Sequence, residues 1–86
     1  MIQIQYTKQA LKDLAKLDKK IENLFYKRLE IFMSDPGNSI LNIHPLKGKY
    51  LGKFSFNVSG DFRCVFISFS DDIAIIHNIG THSQLY

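Results

Sequence analysis

Tryptophan is absent from these 86 residues, cysteine occurs once, proline twice and glycine five times. A lone Cys64 excludes an intrachain disulfide, and its place within an apolar run predicts a reducing compartment. The scarcity of proline and glycine excludes collagen-like and low-complexity architectures, and no internal repeat points to a solenoid. No apolar run approaches the roughly 20 residues of a membrane span. The opening Met1-Ile2-Gln3-Ile4-Gln5-Tyr6 alternates apolar and polar residues and lacks the apolar block of a signal peptide. These absences predict a soluble cytoplasmic protein without a membrane partner. Acids are also few: eight Asp and Glu face eleven Lys and Arg, a formal net charge of +3.

What is present is enough for one core. Hydrophobic residues make up 45% of the chain, with seven Phe and four Tyr. A chain of this length buries roughly 60% of the surface its unfolded form exposes, so residues 1–86 form a single domain. The positive charge is uneven. Residues 8–30 hold seven Lys and Arg against four acids, whereas residues 44–63 hold Lys47, Lys49, Lys53 and Arg63 against Asp61 alone. The first cluster reads as the solvated side of helices. The second, interleaved with Tyr50, Phe54, Phe56 and Phe62, fits contact with a polyanion such as RNA, with plain solvated surface as its alternative.

In chain order, Ile2, Ile4 and Tyr6 alternate with Gln3 and Gln5 as a short strand. Thr7 can cap a helix whose apolar positions are Ala10, Leu11, Leu14 and Ala15, and Asp18 a second one through Ile21, Leu24, Phe25, Leu29, Phe32 and Met33. Asp35-Pro36-Gly37-Asn38 stops the second helix. A connection then leads to Tyr50, Phe54, Phe56 and Val58, which share one parity. Ser59-Gly60 is a hairpin turn, Phe62 to Phe69 an apolar central strand, and Ile73 to Ile79 a further strand that turns at Gly80. This order, β-α-α-β-β-β, predicts an α+β domain with a helical hairpin packed on a mostly antiparallel four-stranded sheet.

Three histidines raise a metal site, but His44, His77 and His82 show no HxxxH spacing and Cys64 has no partner cysteine, so no metal or other cofactor is expected. His77 keeps step with Ile73, Ile75 and Ile79 and reads as a core or edge residue. His44, Asp61, Arg63, His82 and Tyr86 instead lie at the ends of apolar elements, where a buried structural role is weakest. An imidazole titrating near pH ~6.5 can give or take a proton at neutrality. Arginine binds phosphate bidentately, and a tyrosine ring can stack on a base. RNA carries its own nucleophile, the 2′-hydroxyl, and its cleavage needs a base, cationic support for phosphorus and an acid.

These residues carry a resemblance. Gly80-Thr81-His82-Ser83-Gln84-Leu85-Tyr86 resembles the Gly-Thr-His-Ser-x-Leu-aromatic ending of YafQ-type toxins in the RelE/ParE superfamily. His44-Pro45-Leu46-Lys47-Gly48 is similar to their His-x-Leu-x-Gly stretch, and Ser59-Gly60-Asp61-Phe62-Arg63 to their Asp-aromatic pair and to the Ser-Gly-Tyr-Arg turn of RelE proper. The resemblance spans the whole chain and implies a ribosome-dependent mRNA endonuclease, neutralised by an acidic antitoxin. It implies a metal-independent site with His44, Asp61, His82 and Tyr86 in YafQ-type roles. Arg63 matches a phosphate-binding arginine of RelE, and Lys47, Lys49 and Lys53 would meet mRNA in the ribosomal A site and rRNA. A higher-order toxin–antitoxin complex is implied as well. Asn57 and Phe62 depart from the pattern, standing where YafQ-type members carry histidine and tryptophan. A ParE-like gyrase inhibitor and a degenerate toxin that only binds its antitoxin stay open, because a fold alone does not fix activity.

Overall fold

The structure, a computed structural model, describes residues 1–86, the side chain of Phe69 excepted. Its strands are β1 (Gln3–Tyr6), β2 (His44–Pro45), β3 (Phe54–Ser59), β4 (Phe62–Ser70) and β5 (Ile73–Thr81). Its helices are α1 (Lys8–Ala15), α2 (Lys19–Ser34) and α3 (His82–Leu85). Thr7 and Asp18 start the first two helices as their side chains predict. Each oxygen accepts an otherwise unpaired first-turn amide, from Ala10 at 3.0 Å and from Ile21 at 2.9 Å.

The sheet has the order β1-β5-β4-β3-β2, with β1 parallel to β5 and the other pairs antiparallel. Strands β3, β4 and β5 form the expected meander. There are five strands rather than four: residues 44 and 45 pair with Ser55 and Phe54, a two-residue strand too short for any alternation to reveal. Helices α1 and α2 cover one face of the sheet. Phe32 stacks on Phe56 at 5.1 Å and meets the edge of Phe66 at 4.8 Å, while Phe25, Leu41 and Ile76 are fully buried. Burying each such side chain stabilises the fold by roughly 1.5–3 kcal/mol.

Alternation along β4 sends Phe62, Cys64 and Phe66 to the helices and Arg63, Val65 and Ile67 to the other face. Which face Phe69 takes lies outside the described residues. On the face away from α1 and α2, Val65, Leu46 and Leu85 form a second small core with Tyr50 against it. Two expectations change here. Tyr50 does not continue the parity of Phe54 and Phe56; it ends a 3₁₀ turn, Gly48–Tyr50, and packs on the opposite face. Gly80 does not turn the chain. It stays in β5 opposite Arg63, and the chain turns one residue later into α3.

Candidate functional site

His44 is placed by its approach. Leu41 is buried and anchors a 3₁₀ turn that ends at Asn42, whose φ of 47° is left-handed, a conformation asparagine tolerates better than most residues. That bend aims the Asn42 carbonyl at His44, whose Nδ1 lies 2.9 Å away. A carbonyl oxygen only accepts, so Nδ1 carries the proton and neutral His44 keeps its lone pair on Nε2. Nε2 lies 3.4 Å from the hydroxyl of Ser55, the neighbouring residue on β3, which is fully buried.

Arg63 is the second residue of β4, just after a tight turn in which Gly60 has a φ of 50°. Its Nη1 donates to the carbonyl of Gly60 at 2.7 Å and to that of Phe62 at 3.3 Å. The guanidinium is thus held by its own turn, with Nε and Nη2 left to serve an anion. Asn57 is its partner across the β3–β4 ladder, and Asn57 Oδ1 is buried without a hydrogen-bond partner among the described residues.

The tail sequence divides into residues that build α3 and residues that α3 presents. Thr81 caps the helix: its hydroxyl accepts the Gln84 amide at 3.2 Å, while Gln84 Oε1 accepts the Thr81 amide at 2.9 Å. This is a reciprocal capping box. Leu85 is the anchor in the second core. Gly80 gives the capping box room, because a β-carbon there would lie 3.0 Å from Gln84 Oε1, whereas Leu85 at 3.5 Å would be in ordinary contact. His82 and Tyr86, four residues apart, then share the exposed side, with ring centroids 4.7 Å apart. The Asp61 carbonyl accepts the His82 amide at 3.1 Å and ties the helix to the β3–β4 turn.

These pieces meet in an open cleft of about 470 Å³ lined by His44, Pro45, Leu46, Lys47, Arg63, His82 and Tyr86. Lys47 and Arg63 are its cationic side chains, and no Asp or Glu is among the described residues that line it. Four of the five residues expected to do chemistry, and one of the three expected lysines, thus border one cavity. Asp61 does not; it is exposed in the β3–β4 turn and reaches the cleft only through its backbone carbonyl. Lys49 and Lys53 also lie outside the lining, their ammonium groups 5.2 and 5.6 Å from the centre of the Tyr50 ring. Tyr50 meets Tyr86 edge-on at 5.5 Å, so those cations connect to the cleft through two aromatic rings. Sequence reasoning assigned no role to Asn42, Ser55 or Tyr50; the only signal was Tyr50's place among lysines.

His77 stands apart from the cleft lining. It is half-buried, its Nε2 has no partner among the described residues, and burial, then the positive charge of Lys53, hold its pKa below the usual imidazole range. Among the described residues no group of three His, Cys, Asp or Glu side chains comes together. No described helix is long and apolar enough to cross a membrane.

A helical hairpin on a β1-β5-β4-β3-β2 sheet is also the fold of solved YafQ and YoeB/ParE toxins. Among solved structures the chain is similar to YafQ from E. coli strain BL21(DE3), at 20% identity over 100% of this chain and 99% of that one, with a TM-score of 0.81. It is also similar to the YoeB/ParE toxin from Agrobacterium tumefaciens, at 18% identity over 94% and 99% of the two chains and a TM-score of 0.76. A third likeness is to the E. coli DinJ-YafQ toxin-antitoxin complex, at 21% identity over 99% and 97% and a TM-score of 0.79. No family model matches the sequence. No curated protein matches it either.

Proposed function

We propose that this chain is the toxin of a type II toxin–antitoxin pair and cuts mRNA in the ribosomal A site without a metal. The observation that carries the proposal is the cleft itself. Two histidines, an arginine, a lysine and an exposed tyrosine converge there from three separate segments of the chain. His44 Nε2 takes the proton of the RNA 2′-hydroxyl, whose oxygen attacks the adjacent phosphorus. Arg63 and Lys47 hold the phosphate oxygens as negative charge builds. His82, protonated, gives its proton to the departing 5′-oxygen. The products are a 2′,3′-cyclic phosphate and a 5′-hydroxyl. Each proton transfer supplies roughly 10²–10⁴-fold. Tyr86 stacks on a base beside the cut and fixes the strand. Asp61 serves by holding the His82 amide through its carbonyl.

The partner follows from the same surface. A basic cleft continued by Lys49 and Lys53 is suited to an acidic antitoxin segment that folds on binding, and the YafQ complexed with DinJ offers the precedent. A gyrase inhibitor on the same fold has no need of two histidines facing one basic cleft, which favours the nuclease. Induction of the protein followed by mapping of RNA ends on translating ribosomes tests the proposal. Cuts within codons at the A site are the expected result. Intact mRNA alongside gyrase-dependent DNA breaks would reject it.

A further inference from the structure

We propose that the Asn42 carbonyl holds His44 in the tautomer opposite to the one free imidazole prefers, leaving Nε2 to accept a proton, and that Ser55 clamps the ring once that proton has arrived. A histidine side chain in water places its neutral proton mainly on Nε2. Here the Asn42 carbonyl, 2.9 Å from Nδ1, accepts only and therefore draws the proton to Nδ1. The left-handed backbone of Asn42 makes that contact possible, with its own amide donating to Ser39 O at 3.2 Å to close the preceding turn.

Ser55 completes the clamp from the other side. Its hydroxyl lies 3.4 Å from Nε2, too long a contact to hold the single lone pair of neutral His44 against an incoming hydroxyl, and it accepts once Nε2 is protonated. Ser55 thereby supports the protonated ring, while the Asn42 carbonyl accepts from Nδ1–H in both charge states. Ser55 is fully buried, so water cannot replace its hydroxyl when it is removed. Ser55 does not border the cleft and so does not touch RNA; it is a positioning residue acting through His44. The mechanistic consequence rests on the proposed endonuclease reading, whereas the tautomer does not.

Long-range proton–nitrogen correlation spectra of ¹⁵N-labelled protein, recorded well above the imidazole titration, test the clamp directly. His44 should show a protonated Nδ1 and a bare Nε2. A protonated Nε2, or rapid averaging of the two tautomers, would overturn the proposal whatever the protein does to RNA. Asn42→Gly keeps the left-handed backbone and the carbonyl, so it should keep both the tautomer and cleavage within about twofold. Asn42→Val disfavours that backbone and should move the proton to Nε2 and slow cleavage at least about tenfold. Ser55→Ala should leave the tautomer in place and lower kcat about tenfold with KM within about twofold. An unchanged kcat would remove Ser55 from the clamp. A wild-type protein with the predicted tautomer that cuts no RNA would reject the endonuclease and uphold the clamp.

Discussion

Replacing Leu85 with alanine should separate the site from the fold. Helix α3 has four residues, far below the length at which a helix persists alone, so its order comes from docking. Leu85 is 5% exposed and joins Leu46 and Val65 in the second core, which is distinct from the core under α1 and α2. Leucine-to-alanine changes in cores cost about 2–5 kcal/mol, and a small site near the surface belongs at the lower end, about 2–3 kcal/mol. At 1.4 kcal/mol per factor of ten, that loss shifts docked against undocked tail by roughly 30–150-fold. The capping box contributes about 1 kcal/mol and cannot offset it. Leu85→Ala should thus lose most RNA cleavage while its thermal midpoint falls only modestly. Hydrogen exchange provides the local assay, through the His82 amide on Asp61 and the Tyr86 amide on His82. If those amides stayed protected and cleavage stayed at the wild-type rate, the docking argument would be wrong.

His82→Ala should lower cleavage at least about 100-fold with the fold intact, whereas His77→Ala should leave the rate near wild type; equal losses at equal stability would contradict their assignments. His77 should also make the protein acid-sensitive: with a folded pKa below the unfolded value of ~6.5, its contribution is complete above that pH and is lost as pH falls toward the folded value. Thermal midpoints measured across that range should fall more steeply for wild type than for His77→Leu, and parallel curves would show that His77 is not the cause. Charge reversal at Lys47, Lys49 and Lys53 should weaken ribosome association and flatten its salt dependence, and translation arrest at the wild-type rate would mark the three as ordinary surface.

The parts of the fold written in side-chain periodicity or chemistry were legible. Thr7 and Asp18 announce their helices, Phe25, Leu29 and Phe32 mark the buried stripe, and Ser59-Gly60 marks the hairpin. Elements shorter than a period were not. Two residues make β2, and the 3₁₀ turn that carries Tyr50 depends on left-handed backbone at Gly48 and Gly52, so Tyr50 looks like a strand residue in register with Phe54. Gly80 was recognised as special for the wrong reason: it does not turn the chain but leaves room for Gln84 Oε1, which a β-carbon would meet at 3.0 Å. Thr81-x-x-Gln84 did carry a helix-start signature, the readable clue to α3. His44, Arg63, His82 and Tyr86, which border one cleft, stood out in the sequence because they lie at the ends of apolar elements. Asn42 contacts His44 through a main-chain carbonyl, which residue type does not reveal, and Asp61, singled out for its carboxylate, meets the His82 amide through its carbonyl instead.

The most direct test of the central claim is the chemistry of the cut ends, determined on RNA cleaved by purified protein at high concentration. Attack by the 2′-hydroxyl with proton transfer through His44 and His82 predicts a 2′,3′-cyclic phosphate, or the 3′-phosphate formed when it opens, opposite a 5′-hydroxyl. A His44→Ala, His82→Ala double variant should produce neither. Ends bearing a 3′-hydroxyl and a 5′-phosphate would contradict the account.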